Sequence, residues 1–409
     1  LLEYFFSNEN KLSHGKMHKV IYLDNNATTK LDPRVLETMM PFLTESYANA
    51  ASTHPFGVEA HGAVKNARTL VADLIGCETN EIIFAASATE AINLAIKGVA
   101  EAYKDKGKHI VTVATEHPAV LDTCRYLEGK GFETTHLPVQ SDGLLDLDVV
   151  RASVRTDTIL VSVMLVNNEI GVIQPIKEIA EIAHSKGLFF MTDGTQAVGK
   201  LPINVKELGI DLMSFSGHKF YGPKGIGALY VRGKRPNKVK LNPLIHGGGH
   251  EKGLRSGTLN VPGIVGLGKA AEIAKQEMAS DAKRIGELRN YLETELLKIE
   301  HTFLNGHPTK RLYNVSNICL KGADADAIMV GLKGIMVSNG SACSSTKIEP
   351  SHVLKAVGRS DEEAYSSIRF SLGRFNTRNE IDIVIQEIRK VVESLRLLNM
   401  YSTLRVQGK

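Results

Sequence analysis

The sequence predicts an α/β chain, with a parallel sheet covered by helices on both faces and a smaller α+β domain after it. Three observations carry this reading. Short apolar runs alternate with helical patterns, each run ends in a polar turn, and the texture changes after about residue 262. Strands spaced by helices, with polar residues at their ends, are the pattern of a parallel sheet buried on both faces. With 409 residues the chain also exceeds what one hydrophobic core usually serves, so about two domains are expected.

Taken in chain order, NEIIFAAS (80–87) reads as a strand that runs into a Ser/Ala/Thr turn. A helix follows, with Ile92, Ala95, Ile96 and Val99 on one face. DKGKHIVTVATEHP (105–118) is a strand ending near His117, and RTDTILVSVMLVNNEIG (155–171) is another. KEIAEIAHSKG is a helix, and GLFFMTDG (187–194) is a strand closing at Asp193. In DLMSFSGHKFYGPKGIGALYV (211–231) two strands flank a turn holding Ser216, His218 and Lys219. The Gly-rich HGGGHEKGLRSGT (246–258) precedes a long helix-forming stretch over 266–299, then shorter strands such as NVSNICL. A final helix opens with Thr377 and Glu380 at capping-box spacing and carries apolar residues at 381, 384, 385, 388, 391, 392 and 395.

Composition narrows the function classes. A chain 43% hydrophobic and 23% charged is an ordinary globular one. The net charge of +4 is dispersed, without a basic stripe interleaved with aromatics, so neither nucleic acid nor membrane is an expected partner. No apolar run approaches the ~20 residues that span a bilayer. The four cysteines lie far apart with no C-x-x-C, which argues against disulfides and a metal site and favours a reducing compartment. Residues 1–16, LLEYFFSNENKLSHGK, do not have the build of a signal peptide. With Met17 just before the first strand, they read as an extension outside the fold.

Ligands of such sheets bind at the carboxyl ends of the strands, so the residues there are the candidates for a site. A lysine taken alone reads as a solvated surface side chain. Lys219, however, lies between Gly217 and Gly222 beside His218, in a turn that suits a lysine able to form a Schiff base. Asp193 reads either as a helix cap or as a buried carboxylate facing a protonated ring nitrogen. The SATE turn (87–90) reads as a capped helix or a phosphate cradle. His117 is structural or catalytic. Together, in a chain without a G-x-G-x-x-G or Walker motif, they point to pyridoxal phosphate. NGSACSSTKIEPSHVL (339–354) adds a lone thiol, Cys343, among small residues.

The stretches YLDNNATT (22–29), SATEAINLAIKG, TEHPAVLDTC, VNNEIGVIQPI, DGTQAVGKLPI, SFSGHKFYGPKGIGALYV, GGGHEKGLRSGT, SNGSAC (338–343) and SSIRFSLGRF resemble cysteine desulfurases of the IscS/NifS type, within the class V aminotransferase-like enzymes. The resemblance implies fold-type I, with a mostly parallel seven-stranded sheet over residues 31–262. It also implies a small domain over 263–409 that carries a mobile cysteine loop (about 338–350), and a segment, 17–30, packed on that small domain. It implies that Lys219 carries the cofactor, Asp193 holds the ring nitrogen, Gln196 touches the ring hydroxyl and His117 stacks on the ring. Ala88, Thr89, Ser216 and His218 would bind the phosphate, and Thr258 would reach the phosphate of the other subunit of a homodimer. Asn168 and Arg369 would hold the carboxylate of L-cysteine, and Cys343 would take its sulfur as a persulfide, with alanine as the other product. The sulfur would pass to acceptor proteins such as an iron–sulfur scaffold, or to tRNA thiolation, in a bacterial cytoplasm or an organellar matrix. The alternative activity is that of a selenocysteine lyase or another class V pyridoxal-phosphate enzyme, such as an aminotransferase or a decarboxylating relative, and a non-catalytic sulfur-transfer scaffold is a further reading. Ser87, where glycine is usual, DGTQ for DATQ, NAAS for NPAS and Asn339 for serine depart from the family pattern. So does the chain after about residue 398.

Overall fold

The computed structural model of the chain describes residues 20–234, 238–339 and 349–407. Residues 1–16 and Cys343 lie outside the described residues. Strand β1 (Ile21–Tyr22) comes first, followed by helices α1 (Pro33–Thr44) and α2 (Pro55–Ile75). Seven strands then form the main sheet: β2 (Ile82–Ala85), β3 (His109–Val113), β4 (Glu133–Leu137), β5 (Thr158–Ser162), β6 (Phe189–Asp193), β7 (Leu212–Ser216) and β8 (Gly227–Val231). Their order is β2-β8-β7-β6-β5-β3-β4. Only β8 runs against its neighbours, pairing antiparallel with both β2 and β7. The reason is local, because β7 and β8 are joined by the short turn holding Lys219, and a short connection between neighbouring strands reverses direction.

Helices α3 (Ala88–Tyr103), α4 (Pro118–Glu128), α5 (Leu147–Ser153) and α6 (Ile176–Ser185) connect the strands. The predicted face of α3 is buried throughout, with Ile92, Ala95, Ile96 and Val99 each no more than 1% exposed. Helices on both sides of the sheet explain why β3, β5, β7 and β8 are buried along their whole length.

Helix α7 (Val261–Leu296) begins five residues earlier than the periodicity suggests, because Asn260 caps it by accepting the Gly263 N–H at 3.1 Å. Its first half, Val261 to Ala274, packs into the core around the main sheet. Its second half, Ile285 to Leu296, joins a separate core. That core is covered by β9 (Thr302–Asn305), β10 (Val315–Leu320) and β12 (Ser367–Ser371), an antiparallel sheet in the order β12-β10-β9. β11 (Ile335–Met336) pairs in parallel with β1, which ties the start of the described chain to this second core. Short helices α8 (Ala325–Gly331), α9 (His352–Ala356) and α10 (Asp361–Tyr365) precede α11 (Arg378–Gln407). The predicted capping box is formed at α11: Glu380 Oε2 accepts the Thr377 N–H at 3.1 Å, and Thr377 Oγ1 accepts the Glu380 N–H at 3.4 Å.

Candidate active site

The carboxyl ends of β2, β3, β5, β6 and β7 open into one cavity of about 240 Å³. Lys219 enters it from the turn after β7. That turn closes tightly, since a Cβ on Gly222 would lie 2.9 Å from the Gly217 carbonyl oxygen. The lysine ammonium donates to the carbonyls of Asn26 (2.7 Å) and Ala27 (2.8 Å). Tyr221 just beyond has a φ of 68°, which a bulky side chain rarely adopts. Its N–H donates to Thr29 Oγ1 at 2.7 Å, and its carbonyl accepts the Asp32 N–H at 3.0 Å. The stretch from Thr29 to Asp32 therefore clamps the lysine turn.

Asp193 closes β6 and is 5% exposed. Its Oδ1 accepts the Thr195 N–H at 2.9 Å and the Ser214 hydroxyl at 3.4 Å. Glu116, fully buried on the neighbouring turn, accepts the Met164 N–H at 2.5 Å. Burial first, and then the negative charge of Asp193, pushes its carboxyl well above the usual range. His117 caps α4, with Nδ1 accepting the Ala119 N–H at 3.0 Å. Burial lowers its pKa, and the charge of Lys219 acts in the same direction. The charge of Asp193 opposes that shift, and with Nδ1 accepting an N–H the ring's proton lies on Nε2.

At the other end of the cavity stands the N-terminus of α3. Ser87 caps it through Oγ, which accepts the Glu90 N–H at 3.2 Å. Its φ of −166° is ordinary extended backbone, so serine serves where the family usually has glycine. Ala88 and Thr89 face the cavity from the first turn, where helical N–H groups lack intrahelical partners. Gly227 on β8 makes room for this turn, because a Cβ there would lie 2.5 Å from Phe215 O and 2.9 Å from the Ser87 carbonyl carbon. Ser216 and His218 also line the cavity. Burial, with the charges of Lys219, Lys224 and Lys200, takes the His218 imidazole down to about 4, so it is neutral. Its Nδ1 is 3.1 Å from Thr28 Oγ1.

Arg369 projects from β12 and is 5% exposed. Nη2 donates to Asp24 Oδ1 at 2.7 Å, Nη1 donates to the Asn168 carbonyl at 3.1 Å, and Nε is buried without a partner. Gln196 completes the lining near Asp193. Of the residues expected from sequence, Thr258 is exposed and does not line the cavity, and Cys343 lies outside the described residues. The sequence reading assigned no role to Asn26, Ala27, Thr195 or Lys200. The first two lie within the YLDNNATT stretch, whose conspicuous pair of asparagines was the available signal.

Pyridoxal phosphate fits what is present. An amine and a carboxylate, on Lys219 and Asp193, line one cavity that also receives a helix N-terminus. Thr195 Oγ1 lines it as well and is buried without a partner. This fold and this lysine-centred cavity define a fold-type I pyridoxal-phosphate enzyme.

The comparisons with known proteins narrow the class. Residues 21–384 match the aminotransferase class-V family. The chain is 53% identical over 385 residues to a mitochondrial cysteine desulfurase of Arthroderma benhamiae, which covers 93% of this chain and 76% of that protein. It is 52% identical over 391 residues to the cysteine desulfurase IscS of Cronobacter sakazakii, which covers 95% of this chain and 96% of that one. The solved structure of a NifS-like protein superposes with a TM-score of 0.85 at 39% identity, covering 91% of this chain and 99% of that one. The chain belongs to the class V aminotransferase family and, within it, to the cysteine desulfurases, which are pyridoxal-phosphate enzymes.

The described cysteines lie away from the cavity. Burial pushes the thiols of Cys77 and Cys124 up to about 12 and that of Cys319 to about 11. None of them forms a disulfide.

Proposed function

We propose that this chain splits L-cysteine into L-alanine and sulfane sulfur, using Lys219, Asp193, His117 and Arg369 in the cavity and Cys343 as the sulfur carrier. The observation that carries the reading is the convergence of Lys219, Asp193 and His117 from three strand ends on one cavity. Pyridoxal phosphate, when bound, supplies an electron sink for the carbanion at the substrate α-carbon. Lys219 would carry the cofactor, and its amine would be the base for the substrate α-proton. Asp193 holds a proton at the ring nitrogen. Gln196 donates to the ring oxygen. The turn of Ala88 and Thr89, with Ser216 and His218, binds the phosphate. Arg369 binds the substrate carboxylate with Asn168 beside it, a guanidinium fork being suited to that anion.

His117 holds a proton on Nε2 close to where the substrate thiol arrives. The thiolate of Cys343 forms a bond to the substrate sulfur as the Cβ–S bond breaks. The electron pair stays on the carbon side, where protonation gives alanine. Cysteine desulfurases are typically dimeric, and we assign Thr258 to the phosphate of the partner subunit, which accords with its exposure outside its own cavity. An iron–sulfur scaffold and a tRNA-thiolating protein are the acceptors to try, in a bacterial cytoplasm or an organellar matrix.

The test is Cys343→Ser. It should keep the visible band of the lysine-linked cofactor and its change on adding cysteine, yet lose alanine and sulfide release by at least about 10²-fold. Turnover at the parental rate would refute the assignment. Lys219→Ala, treated with borohydride, should fix no cofactor to the protein where the parent does.

A further inference from the structure

Lys200 lies outside every role given so far, four residues beyond Gln196. It is 4% exposed, and its ammonium donates to Gln196 Oε1 at 2.8 Å. Gln196 Nε2 donates in turn to the Asn26 carbonyl at 2.9 Å, the same oxygen that Lys219 Nζ reaches at 2.7 Å. The backbone turns to deliver Lys200 at Gly199, whose φ is +75°. A Cβ at Gly199 would lie 2.6 Å from Phe220 Cβ, so this turn packs directly against the turn of Lys219.

A buried lysine whose contact is a neutral amide is costly to hold in place. The amide contact also has a definite chemical sense. An ammonium only donates, and an amide offers one acceptor oxygen and one two-hydrogen donor. Lys200 therefore fixes Gln196 with its oxygen turned inward. One N–H of Nε2 goes to Asn26, and the other is left for the cavity that Gln196 lines. Without Lys200 the amide can rotate and present its oxygen, which would repel an anionic ligand atom.

We propose that Lys200 is a positioning residue: it locks the Gln196 amide so that an N–H faces the ring oxygen of the cofactor, and thereby sets the acidity of the Lys219–cofactor linkage. This rests on the reading that Gln196 faces that oxygen. Burial, together with the charges of Lys219 and Arg369, lowers the Lys200 pKa to about 7, in keeping with its place in a cationic, dry layer behind the site.

The experiment is a pH titration of the visible band of the holoenzyme, without substrate, for the parent, Lys200→Met, Gln196→Ala and the double variant. Lys200→Met removes a positive charge near the linkage and frees the amide. On the proposal the freed amide dominates: loss of its N–H from the ring oxygen favours the protonated linkage, so the midpoint should rise by about half a pH unit or more, with no further rise from the lost charge once Gln196 is gone. The double variant should titrate like Gln196→Ala alone, because Lys200 acts through Gln196. An unmoved midpoint in Lys200→Met beside a moved one in Gln196→Ala overturns the proposal and leaves the Gln196 reading standing. Additive shifts also overturn it, since Lys200 would then act by its own charge. No shift in either single variant removes the Gln196 reading and the proposal with it. Should Lys200→Met not accumulate folded, Lys200→Leu fills the position with another side chain that has no donor, and the same rise is expected.

Discussion

At the scale of single residues, the site depends on close approaches that only particular side chains allow. Gly227 lets the Ser87 turn lie on β8, and the atoms a Cβ would meet there belong to backbone, which cannot swing aside. Gly227→Ala is therefore expected to cost about 1–3 kcal/mol of stability and to weaken cofactor retention, as read by thermal melting and by the cofactor content after gel filtration. Lys219, Asp193 and His117 could be found in the sequence because each ends an apolar run of strand length. Lys200 could not. Its amine returns to the site through the positive φ of Gly199, and no periodicity encodes such a turn. The pairing of Arg369 with Asp24 was equally hidden, since 345 positions separate the partners.

At the scale of elements, the clamp on the lysine turn is itself held by ion pairs. Asp32 caps α1 by accepting the Arg34 N–H at 3.0 Å, and it pairs with Arg34 and Arg374, both at 2.8 Å. The hydrogen bond from the Arg34 side chain, above all, brings the Asp32 carboxyl down to about 2. The folded value lies below the unfolded one, so this stabilisation is complete above roughly pH 4 and is lost as the pH falls toward 2. Asp32→Asn keeps the cap and loses the charge. Its melting temperature should fall below the parent's at pH 6, and the gap should close on acidification through that window. A gap independent of pH would mean that the charge contributes nothing. The helices and strands around this clamp were readable from caps and periodicity, as the Thr377–Glu380 box shows. The extra turn at the start of α7 was not, because Gly263 and Pro262 hid a cap that Asn260 supplies.

At the scale of the whole molecule, α7 belongs to two cores at once, its first half to one and its second half to the other. Neither core can lose its share of that helix without fraying the other. Thermal unfolding is expected to be one cooperative transition, with calorimetric and van't Hoff enthalpies in agreement. Two resolved transitions would show that the helix divides rather than joins. The same long-range economy applies to Arg369 in the cavity wall. Within the chain Arg369 is already matched to a carboxylate, because Asp24 holds its Nη2. On the proposed role of Arg369, a substrate carboxylate would have to share the guanidinium with that resident anion, and Asp24→Asn is expected to change the KM for cysteine more than kcat.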